Sequence, residues 1–196
     1  LGKMEEPIDS VRVLANTSSG KTGVEIAKRL LHSGAHVTVL AHHSVELFQH
    51  PNCSWQSYVS FEDFYETMEG LVKNDAYDAI VHMSACSDYS IDKVSFGGMS
   101  INEENKISSS HDEISIQLKR NPKVVNAIKP KWGFKGLLVA FKLTVDASES
   151  EVKDKLHALF LASHADFIVH NDLTAIDEQN HQFGLYSPAK LINIGT

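Results

Sequence analysis

The chain has 196 residues, enough for one domain and too few for a second large one, since domains usually contain roughly 100–200 residues. Apolar residues make up 42% of the sequence and charged residues 22%, which is typical of a globular protein and excludes a disordered or fibrous chain. The formal net charge of −7 argues against a non-specific nucleic-acid binder and against a protein that binds membrane surfaces.

Short apolar runs alternate with amphipathic helical patterns along the chain. Strands buried on both faces are predicted at Val11–Ala15, His36–Ala41, Ala79–Met83, Leu137–Phe141 and Phe167–Val169. Helices are predicted at Gly23–Leu31, Phe61–Val72 and Ser148–Ala162, with N-caps at Ser60 and Ser148 and a stop at Gly34. This alternation predicts an α/β fold with a mostly parallel sheet that is covered on both faces.

The segment Ser90–His111 lacks this regularity, because it contains a glycine pair, clustered polar residues and little periodicity. Irregular segments of this length are uncommon in compact domains and usually either serve a function or are disordered. We predict a long mobile loop here. Its two interpretations, a functional flap and a plain surface loop, are equally supported by the sequence.

The sharpest local pattern is Ala15–Gly23, with the sequence Ala-Asn-Thr-Ser-Ser-Gly-Lys-Thr-Gly between a predicted strand and a predicted helix. Small residues let the backbone turn tightly, and the positive end of the helix dipole favours an anion. A phosphate site is therefore predicted at this turn, which we call the anion turn. The alternative is an ordinary serine-capped helix start.

Two known nucleotide motifs fit this turn poorly. A P-loop would also need a magnesium-binding acidic residue after a buried strand, and the only candidate, Asp172, follows two polar residues far along the chain. A dinucleotide-dependent oxidoreductase would need a G-x-G-x-x-G set, which the turn lacks.

Further segments around the anion turn make the chain recognisable. They are, in chain order, Glu6–Arg12, Asn16–Gly23, Ser84–Tyr89, Lys106–Ser109, Asn121–Val125, Ala140–Asp146 and Ile168–Leu173. In this order they resemble the phosphopantothenoylcysteine synthetase (phosphopantothenate-cysteine ligase) family of coenzyme A biosynthesis. The sequences of these segments are most similar to those of the stand-alone bacterial type of this family.

The resemblance implies a fold, a reaction and partners. We expect a three-layer Rossmann-like domain over 1–196 with a mobile flap around 90–111, which forms a homodimer. The net charge and the lack of an apolar run or signal-peptide pattern separately predict a cytoplasmic protein without nucleic acid or membrane as a partner. The carboxylate of 4′-phosphopantothenate would attack the α-phosphate of CTP (or ATP), which binds with Mg²⁺. The amine of cysteine would then displace the nucleotide from the acyl-nucleotide to form the amide. The enzyme mainly aligns the reactants and neutralises phosphate charge.

The resemblance also assigns roles to single residues. Asn16 matches an active-site asparagine that bonds the acyl group, Arg12 matches an arginine for a phosphate or carboxylate, and Lys106 matches the lysine that closes over the nucleotide. Ser18, Ser19 and Gly20 would line the anion turn. The other nucleotide contacts implied are His82, Met83, Ser84, Asp88, Pro122, Lys123, Val124, Val125 and Phe141.

Each assignment has a plainer alternative. Arg12 and Lys106 are also compatible with solvated surface residues, Asp88 with a turn cap, Phe141 with the core and Asn16 with a helix entry. The family carries a buried strand and a Gly-Gly-Thr turn before the Glu-Pro-Ile-Asp segment, a late-helix lysine pair and a final helix. We expect this chain to lack all of these. An inactive or truncated nucleotide-binding relative is therefore the main competing hypothesis.

No metal site is expected from the sequence. The chain contains 11 histidines, but His42, His43 and His50 show no spacing that joins them to a carboxylate or cysteine set, and we interpret them as structural. Cys53 and Cys86 have no paired spacing, which excludes a zinc ribbon and a disulfide framework and favours a reducing compartment. Cys86 is predicted to be a packed thiol rather than a nucleophile.

Overall fold

The computed structural model describes residues 1–97, 99–100, 106–175, 182–189 and 191–192. The first half contains β1 (Glu5–Pro7), β2 (Val13–Ala15), α1 (Lys21–His32), β3 (Val37–His42), β4 (Cys53–Tyr58), α2 (Phe61–Asn74), β5 (Ala79–His82) and β6 (Tyr89–Phe96). The second half contains β7 (Met99–Ser100), β8 (Ser115–Arg120), α3 (Val125–Ile128), β9 (Leu137–Thr144), α4 (Glu149–Ser163), β10 (Phe167–Asp172), β11 (Gly184–Tyr186) and β12 (Leu191–Ile192).

The chain divides into two compact units. The first unit comprises Leu1–Met68 and Ser84–Lys123, and the second comprises Glu69–Met83 and Val124–Thr196. Both contain parallel strands and helices, so the predicted α/β class is confirmed. No helix in the described part of the chain is long and apolar enough to cross a membrane.

The core of the first unit lies between α1 and the parallel pair β3–β4. Ala27 of α1 is buried with Val39 and Ala41 of β3, and Trp55 of β4 packs against them. Helix α1 begins and ends close to the predicted residues because its apolar positions recur at helical spacing. The helical spacing of Val24, Ala27, Leu30 and Leu31 predicts that all four face this core, but Leu30 is 40% exposed, so that part of the prediction is wrong.

Residues before β1 lie alongside β3. The carbonyl of Leu1 accepts a hydrogen bond from the backbone nitrogen of His42 at 2.8 Å. Gly2 has a φ of 89°, and a Cβ built on Gly20 would lie 3.1 Å from its nitrogen. Gly2 thus adopts the left-handed conformation that favours glycine, and it lies close to Gly20 at the start of α1.

Strand β2 differs from its prediction in partner and in burial. It pairs antiparallel with β1, and its side chains are exposed, as are those of Val11 and Arg12 just before it. The apolar run Val11–Ala15 therefore predicted the position of the strand correctly, but the prediction that this strand is buried is wrong. An antiparallel pair does not need cover on both faces, whereas a parallel sheet normally has it.

The segment predicted as a loop from Ser90 contains regular structure. Tyr89–Phe96 forms β6, which pairs antiparallel with β8 and with β7. The loop prediction is wrong for 90–96, because the ladder with β8 supplies backbone hydrogen bonds that the local sequence pattern does not reveal. Residues 101–105 of the predicted flap lie outside the described residues.

The second unit has a five-stranded sheet in the order β12-β11-β10-β9-β5. Its three strands β5, β9 and β10 are parallel, and β11 and β12 continue it antiparallel. Leu138, Ala140 and Ile168 on β9 and β10 are fully buried. Helix α4 is preceded by Ser148, whose hydroxyl accepts a hydrogen bond from the backbone nitrogen of Glu151, so the predicted N-cap is confirmed.

Candidate active site

The anion turn lies in the first unit between β2 and α1. Gly20 has a φ of 75° and directly precedes Lys21, the first residue of α1. No side chain caps this helix end, and its first turn contains no acidic residue. The positive end of the helix dipole at this turn is therefore not neutralised from within α1, which is the arrangement that favours a bound phosphate.

Leu1 and Val45 lie so close to the backbone of the anion turn that only small residues fit there. A Cβ built on Gly23 would lie 2.1 Å from Cδ2 of Leu1, and one built on Gly20 would lie 3.0 Å from Cγ2 of Val45. Either side chain would force its neighbours to move. The glycines of the pattern thus let residues at the start of the chain pack directly on the first turn of α1.

Strand β2 ends at Ala15 and places Asn16 at the start of this turn. Its Nδ2 donates a hydrogen bond to the carbonyl of Ala85, and its Oδ1 is buried and has no hydrogen-bond partner. A buried polar atom without a partner is costly unless a ligand or water meets it. The structure therefore joins Asn16 to the Ser84–Tyr89 segment and leaves one acceptor available to a ligand.

Asp9 organises the turn between β1 and β2 and was not among the predicted site residues. Its side chain is fully buried, and Oδ1 accepts hydrogen bonds from the backbone nitrogens of Val11 and Arg12 at 2.9 and 2.8 Å. Its Oδ2 accepts one from the backbone nitrogen of Ile107 at 3.0 Å. Burial alone would raise the pKa of this carboxyl, but these donors and the Arg12 guanidinium together hold it below its ordinary value.

Arg12 completes this arrangement. Its Nη2 lies 3.0 Å from Oδ2 of Asp9 and donates a 2.6 Å hydrogen bond to the carbonyl of Ile107. Asp9 and Arg12 together bond both backbone groups of Ile107, and we call this arrangement the Ile107 clamp. Lys106, the residue next to the clamp, is exposed. Arg12 and Lys106 were predicted from distant segments of the chain. The fold of the first unit brings Arg12 into contact with the backbone of the segment that carries Lys106.

Asp88 and Lys123 form an ion pair in the first unit. Asn121, like Asp9, was not among the predicted site residues, but it holds the segments of Asp88 and Lys123 together. Its side chain is 8% exposed, and its Nδ2 donates hydrogen bonds to the carbonyl of Ser87 at 3.1 Å and to Oγ of Ser90 at 2.8 Å. Asn121 occurs in the family-like segment, but only its burial shows what the amide does.

The thiol of Cys86 lies beside these residues and is not activated. Burial raises its pKa to about 12, while Lys123 acts in the opposite direction. A thiol with such a pKa is protonated at neutral pH and is a poor nucleophile. This supports the prediction that Cys86 is a packed thiol.

The remaining predicted nucleotide contacts lie in the second unit, except for Ser84 and Pro122 in the first. His82 ends β5, where it pairs with Ala140 next to Phe141 of β9, and Met83 follows it. Val124 is 1% exposed, so its side chain belongs to the core, and Val125 begins α3. Phe141 is half-buried, which leaves both of its interpretations open.

Asp172 is occupied within the second unit. Its carboxylate accepts hydrogen bonds from Oγ1 of Thr144 and of Thr174, each at 2.6 Å, and from the backbone nitrogens of Asp146, Ala147 and Thr174. The bond from Thr144 and then those from Thr174 keep its pKa far below the ordinary range. This carboxylate stabilises the turn between β9 and α4, which agrees with the rejection of Asp172 as a P-loop magnesium ligand.

The topology and the anion turn define an α/β protein whose first helix begins at a glycine turn of the kind that favours an anion. The sequence pattern of the family described as the DNA/pantothenate metabolism flavoprotein C-terminal domain matches residues 1–191. The chain belongs to this family. The predicted resemblance is therefore confirmed.

Curated relatives support the same assignment. The chain is 30% identical over 174 residues to the coenzyme A biosynthesis bifunctional protein CoaBC of Haemophilus influenzae, covering 88% of this chain and 40% of that protein. It is 27% identical over 183 residues to CoaBC of Thermococcus kodakarensis, covering 92% of this chain and 42% of that protein. The chain thus spans about two fifths of the length of these relatives.

Solved structures show the same fold. The DNA/pantothenate metabolism flavoprotein from Streptococcus pneumoniae matches with a TM-score of 0.86 and 29% identity, covering 98% of this chain and 89% of that one. The C-terminal domain of a CoaBC protein matches with a TM-score of 0.73 and 21% identity, covering 99% and 82%. These similarities confirm the predicted Rossmann-like α/β fold class.

Proposed function

We propose that this chain ligates 4′-phosphopantothenate with cysteine in coenzyme A biosynthesis, using CTP to activate the carboxylate. Attack of the carboxylate oxygen on the α-phosphate forms an acyl-nucleotide and releases pyrophosphate. The cysteine amine then attacks the acyl carbon and the C–N bond forms. The bond between this carbon and the phosphate oxygen breaks, the nucleoside monophosphate leaves, and the nitrogen releases a proton. A relative of the same fold, a Cab2 mutant, has been solved in complex with phosphopantothenate-cysteine, the product of such a reaction.

The observation that supports this proposal most strongly is the unpartnered Oδ1 of Asn16 beside the anion turn. The Nδ2 of the same amide is engaged by the carbonyl of Ala85, so the side chain is held in place while its acceptor remains open. An acceptor suits an N–H donor, and the attacking amine of cysteine is such a group. We propose that Oδ1 of Asn16 orients this amine in the second step, while the second N–H of its Nδ2 donates to the acyl oxygen.

The cationic groups of the first unit would neutralise the phosphates. The anion turn, with Ser18, Ser19 and Gly20, offers the start of α1 to one phosphate, and Lys106 would approach the nucleotide from its own segment. Arg12 already bonds Asp9 and the carbonyl of Ile107. We therefore propose that Arg12 acts both as a cation near the substrate and as a support for the Lys106 segment.

We further propose that Mg²⁺ arrives with the nucleotide. Mg²⁺ keeps several water ligands and usually binds through phosphate oxygens and one or two carboxylates. Asp88, the carboxylate predicted near the nucleotide, is paired with Lys123. Because Lys123 already engages this carboxylate, we propose that the metal is held by triphosphate oxygens and water rather than by Asp88. Bound Mg²⁺ would neutralise phosphate charge, and the residues named above would bind and orient the reactants.

A homodimer is also proposed, with β8 at its interface. Every residue of β8 is exposed, and Ile116 and Leu118, two residues apart and thus on one face, are 37% and 42% exposed. Tyr89 on the paired strand β6 is 51% exposed. Exposed apolar side chains on neighbouring strands are typical of a surface that another protein covers.

The function is tested with purified protein, 4′-phosphopantothenate, cysteine, Mg²⁺ and either CTP or ATP, by following pyrophosphate release and amide formation. We expect both products with CTP. Nucleotide binding by calorimetry without pyrophosphate would contradict the proposal and support a nucleotide-binding relative without ligase activity. Turnover with ATP alone would correct the choice of nucleotide but not the reaction.

Two variants test the residue roles. Lys106→Gln should abolish pyrophosphate formation with an unchanged circular dichroism spectrum, while Lys135→Gln, which removes another exposed lysine, should retain full turnover. Asn16→Asp should still release pyrophosphate but form little amide, because it replaces the donor to Ala85 by a carboxylate. Normal amide formation by this variant would show that Asn16 is not needed in the second step.

A further inference from the structure

Three side chains of types that can bind a metal come together at the end of β3, and none of them is among the site residues assigned above. Glu5 begins β1, His42 ends β3 and His43 follows it. One ligand atom from each of the three lies within 4.8 Å of the other two, and the two imidazole rings are 4.1 Å apart. We call these residues the Glu5–His42–His43 cluster. The sequence did not indicate it, because Glu5 reaches the histidines only through the packing of the first unit.

The central residue is His42, whose side chain is fully buried. Its Nε2 has no hydrogen-bond partner and lies 3.7 Å from Oε1 of Glu5. This separation is too long for a hydrogen bond. It is close to the spacing of about 3.4 Å between two ligands of one tetrahedral zinc ion, given metal–ligand distances of 2.0–2.2 Å. The pair is thus arranged like two ligands of one ion.

The opposite ring nitrogen of His42 is bonded by Ser44. Its Nδ1 lies 2.8 Å from Oγ of Ser44, and it accepts a hydrogen bond from the backbone nitrogen of Ser44 at 3.2 Å. Nδ1 is thus an acceptor and the ring proton lies on Nε2, so Nε2 can bind an ion only when this proton moves to Nδ1, where the Ser44 hydroxyl can accept a hydrogen bond from it.

The charge of Lys3 opposes a cation in this region. Its Nζ lies 2.7 Å from Oε1 of Glu5, and its charge also acts on His42. The Lys3 side chain is 33% exposed, so it can turn into solvent when a cation replaces it. Lys3 should therefore weaken metal binding without preventing it.

We propose that the Glu5–His42–His43 cluster is a binding site for a zinc-class divalent cation, with Nε2 of His42, one nitrogen of His43 and the Glu5 carboxylate as ligands and a fourth position open to solvent. Two imidazoles and one carboxylate suit Zn²⁺ and disfavour Mg²⁺, which prefers oxygen ligands. The ion would connect β1 to the end of β3. This site is separate from the Mg²⁺ proposed with the nucleotide, and it does not depend on the proposed function.

The test titrates the metal-free chain with Zn²⁺ by calorimetry and follows thermal unfolding. We expect one equivalent with a Kd of about 10 µM or tighter, which corresponds to a clear rise in Tm at saturating metal. Mg²⁺ at the same concentration should leave Tm unchanged. Absence of a one-to-one binding event, or an equal effect of Mg²⁺, would overturn the proposal.

Variants separate this site from unspecific surface binding. His43 and Glu5 are proposed as direct ligands of the ion. Since loss of even an outer-shell partner typically costs 10–100-fold in metal affinity, His43→Ala and Glu5→Gln should weaken Zn²⁺ binding by at least about tenfold. Both positions are less buried than His42 and should fold normally. Lys3→Ala should tighten binding, whereas His157→Ala, on the exposed face of α4, should change nothing. Equal affinity in His43→Ala and His157→Ala would show that the cluster is not the site.

Discussion

The buried carboxylate of Asp9 and the backbone nitrogen of Ile107 are joined by a 3.0 Å hydrogen bond between segments far apart in the chain. Arg12 adds a bond to the carbonyl of the same residue. Through this Ile107 clamp, the turn after β1 holds the residue that follows Lys106. A lysine on an exposed segment is thereby attached to a rigid turn, which is what orientation of a catalytic group requires.

We expect Asp9→Asn to impair catalysis more than folding. An asparagine can still accept the bonds from Val11 and Arg12 with its oxygen, but its NH₂ group then faces the N–H donors of Ile107 and Arg12. Misplacing a reactive group by about 1 Å can cost up to roughly a hundredfold in rate. We therefore predict a tenfold to hundredfold fall in kcat/KM and faster tryptic cleavage after Lys106.

The control for this prediction is Asp154→Asn, which removes the same charge from an exposed position of α4. It should leave both kcat/KM and the cleavage rate as in the unmodified chain. If trypsin cleaves the Asp9→Asn variant after Lys106 no faster than it cleaves this control, the Ile107 clamp does not position the lysine.

Asn121→Ala should destabilise the protein. Its amide is buried and bonds the carbonyl of Ser87 and Oγ of Ser90, and both would lose their partner. Leaving buried polar groups without partners costs about 1–3 kcal/mol, which urea unfolding would measure. Gln56→Ala, at an exposed position of β4, should stay within about 0.5 kcal/mol of the unmodified chain. A similar value for both variants would contradict this role of Asn121.

Ser148→Ala should weaken the start of α4. The Ser148 hydroxyl and the Glu151 side chain form a reciprocal capping box, with the Ser148 backbone nitrogen donating to Oε2 of Glu151 at 2.9 Å. Loss of a serine N-cap costs about 1 kcal/mol in the free energy of unfolding. Ser150→Ala changes the same residue type inside the first turn, where alanine is favourable, and should not destabilise the protein.

Asp172 should make the stability of the protein depend on acid pH. Its pKa is lowered in the folded state, so its stabilising contribution is fully present above the unfolded value of about 3.9 and is lost as pH falls below it. Asp172→Asn should therefore be less stable at pH 7, and the difference from the unmodified chain should shrink below about pH 4. Thermal unfolding at several pH values measures this, and a constant difference would contradict it.

Ile116→Lys should convert the proposed homodimer into a monomer, because a charge would be buried among the apolar side chains of β8. Sedimentation velocity would measure the change. Gln117→Lys on the opposite face of the strand is the matched control and should leave the dimer intact. A monomeric unmodified chain would remove the dimer from the proposal but would not affect the ligase reaction.

Elements defined by local periodicity were predicted well. The sequence patterns placed α1, α2, α4, β3, β5, β9 and β10 close to their observed bounds, because helix and buried-strand periodicities are properties of neighbouring residues. The same patterns were wrong about the burial of β2 and about the start of β6. Both strands obtain their partners from other parts of the chain, which a local pattern does not contain.

The sequence by itself determined the alternating α/β plan, the anion turn with Gly20, and the family, since all three depend on residue types in fixed order along the chain. Only the tertiary structure decided that Asp9 bonds Ile107, that Asn121 is a buried support for the segment of Asp88, and that Glu5 meets His42. These contacts join residues that are distant in sequence. Their distances are set by how the strands and turns pack, and no single segment encodes that packing.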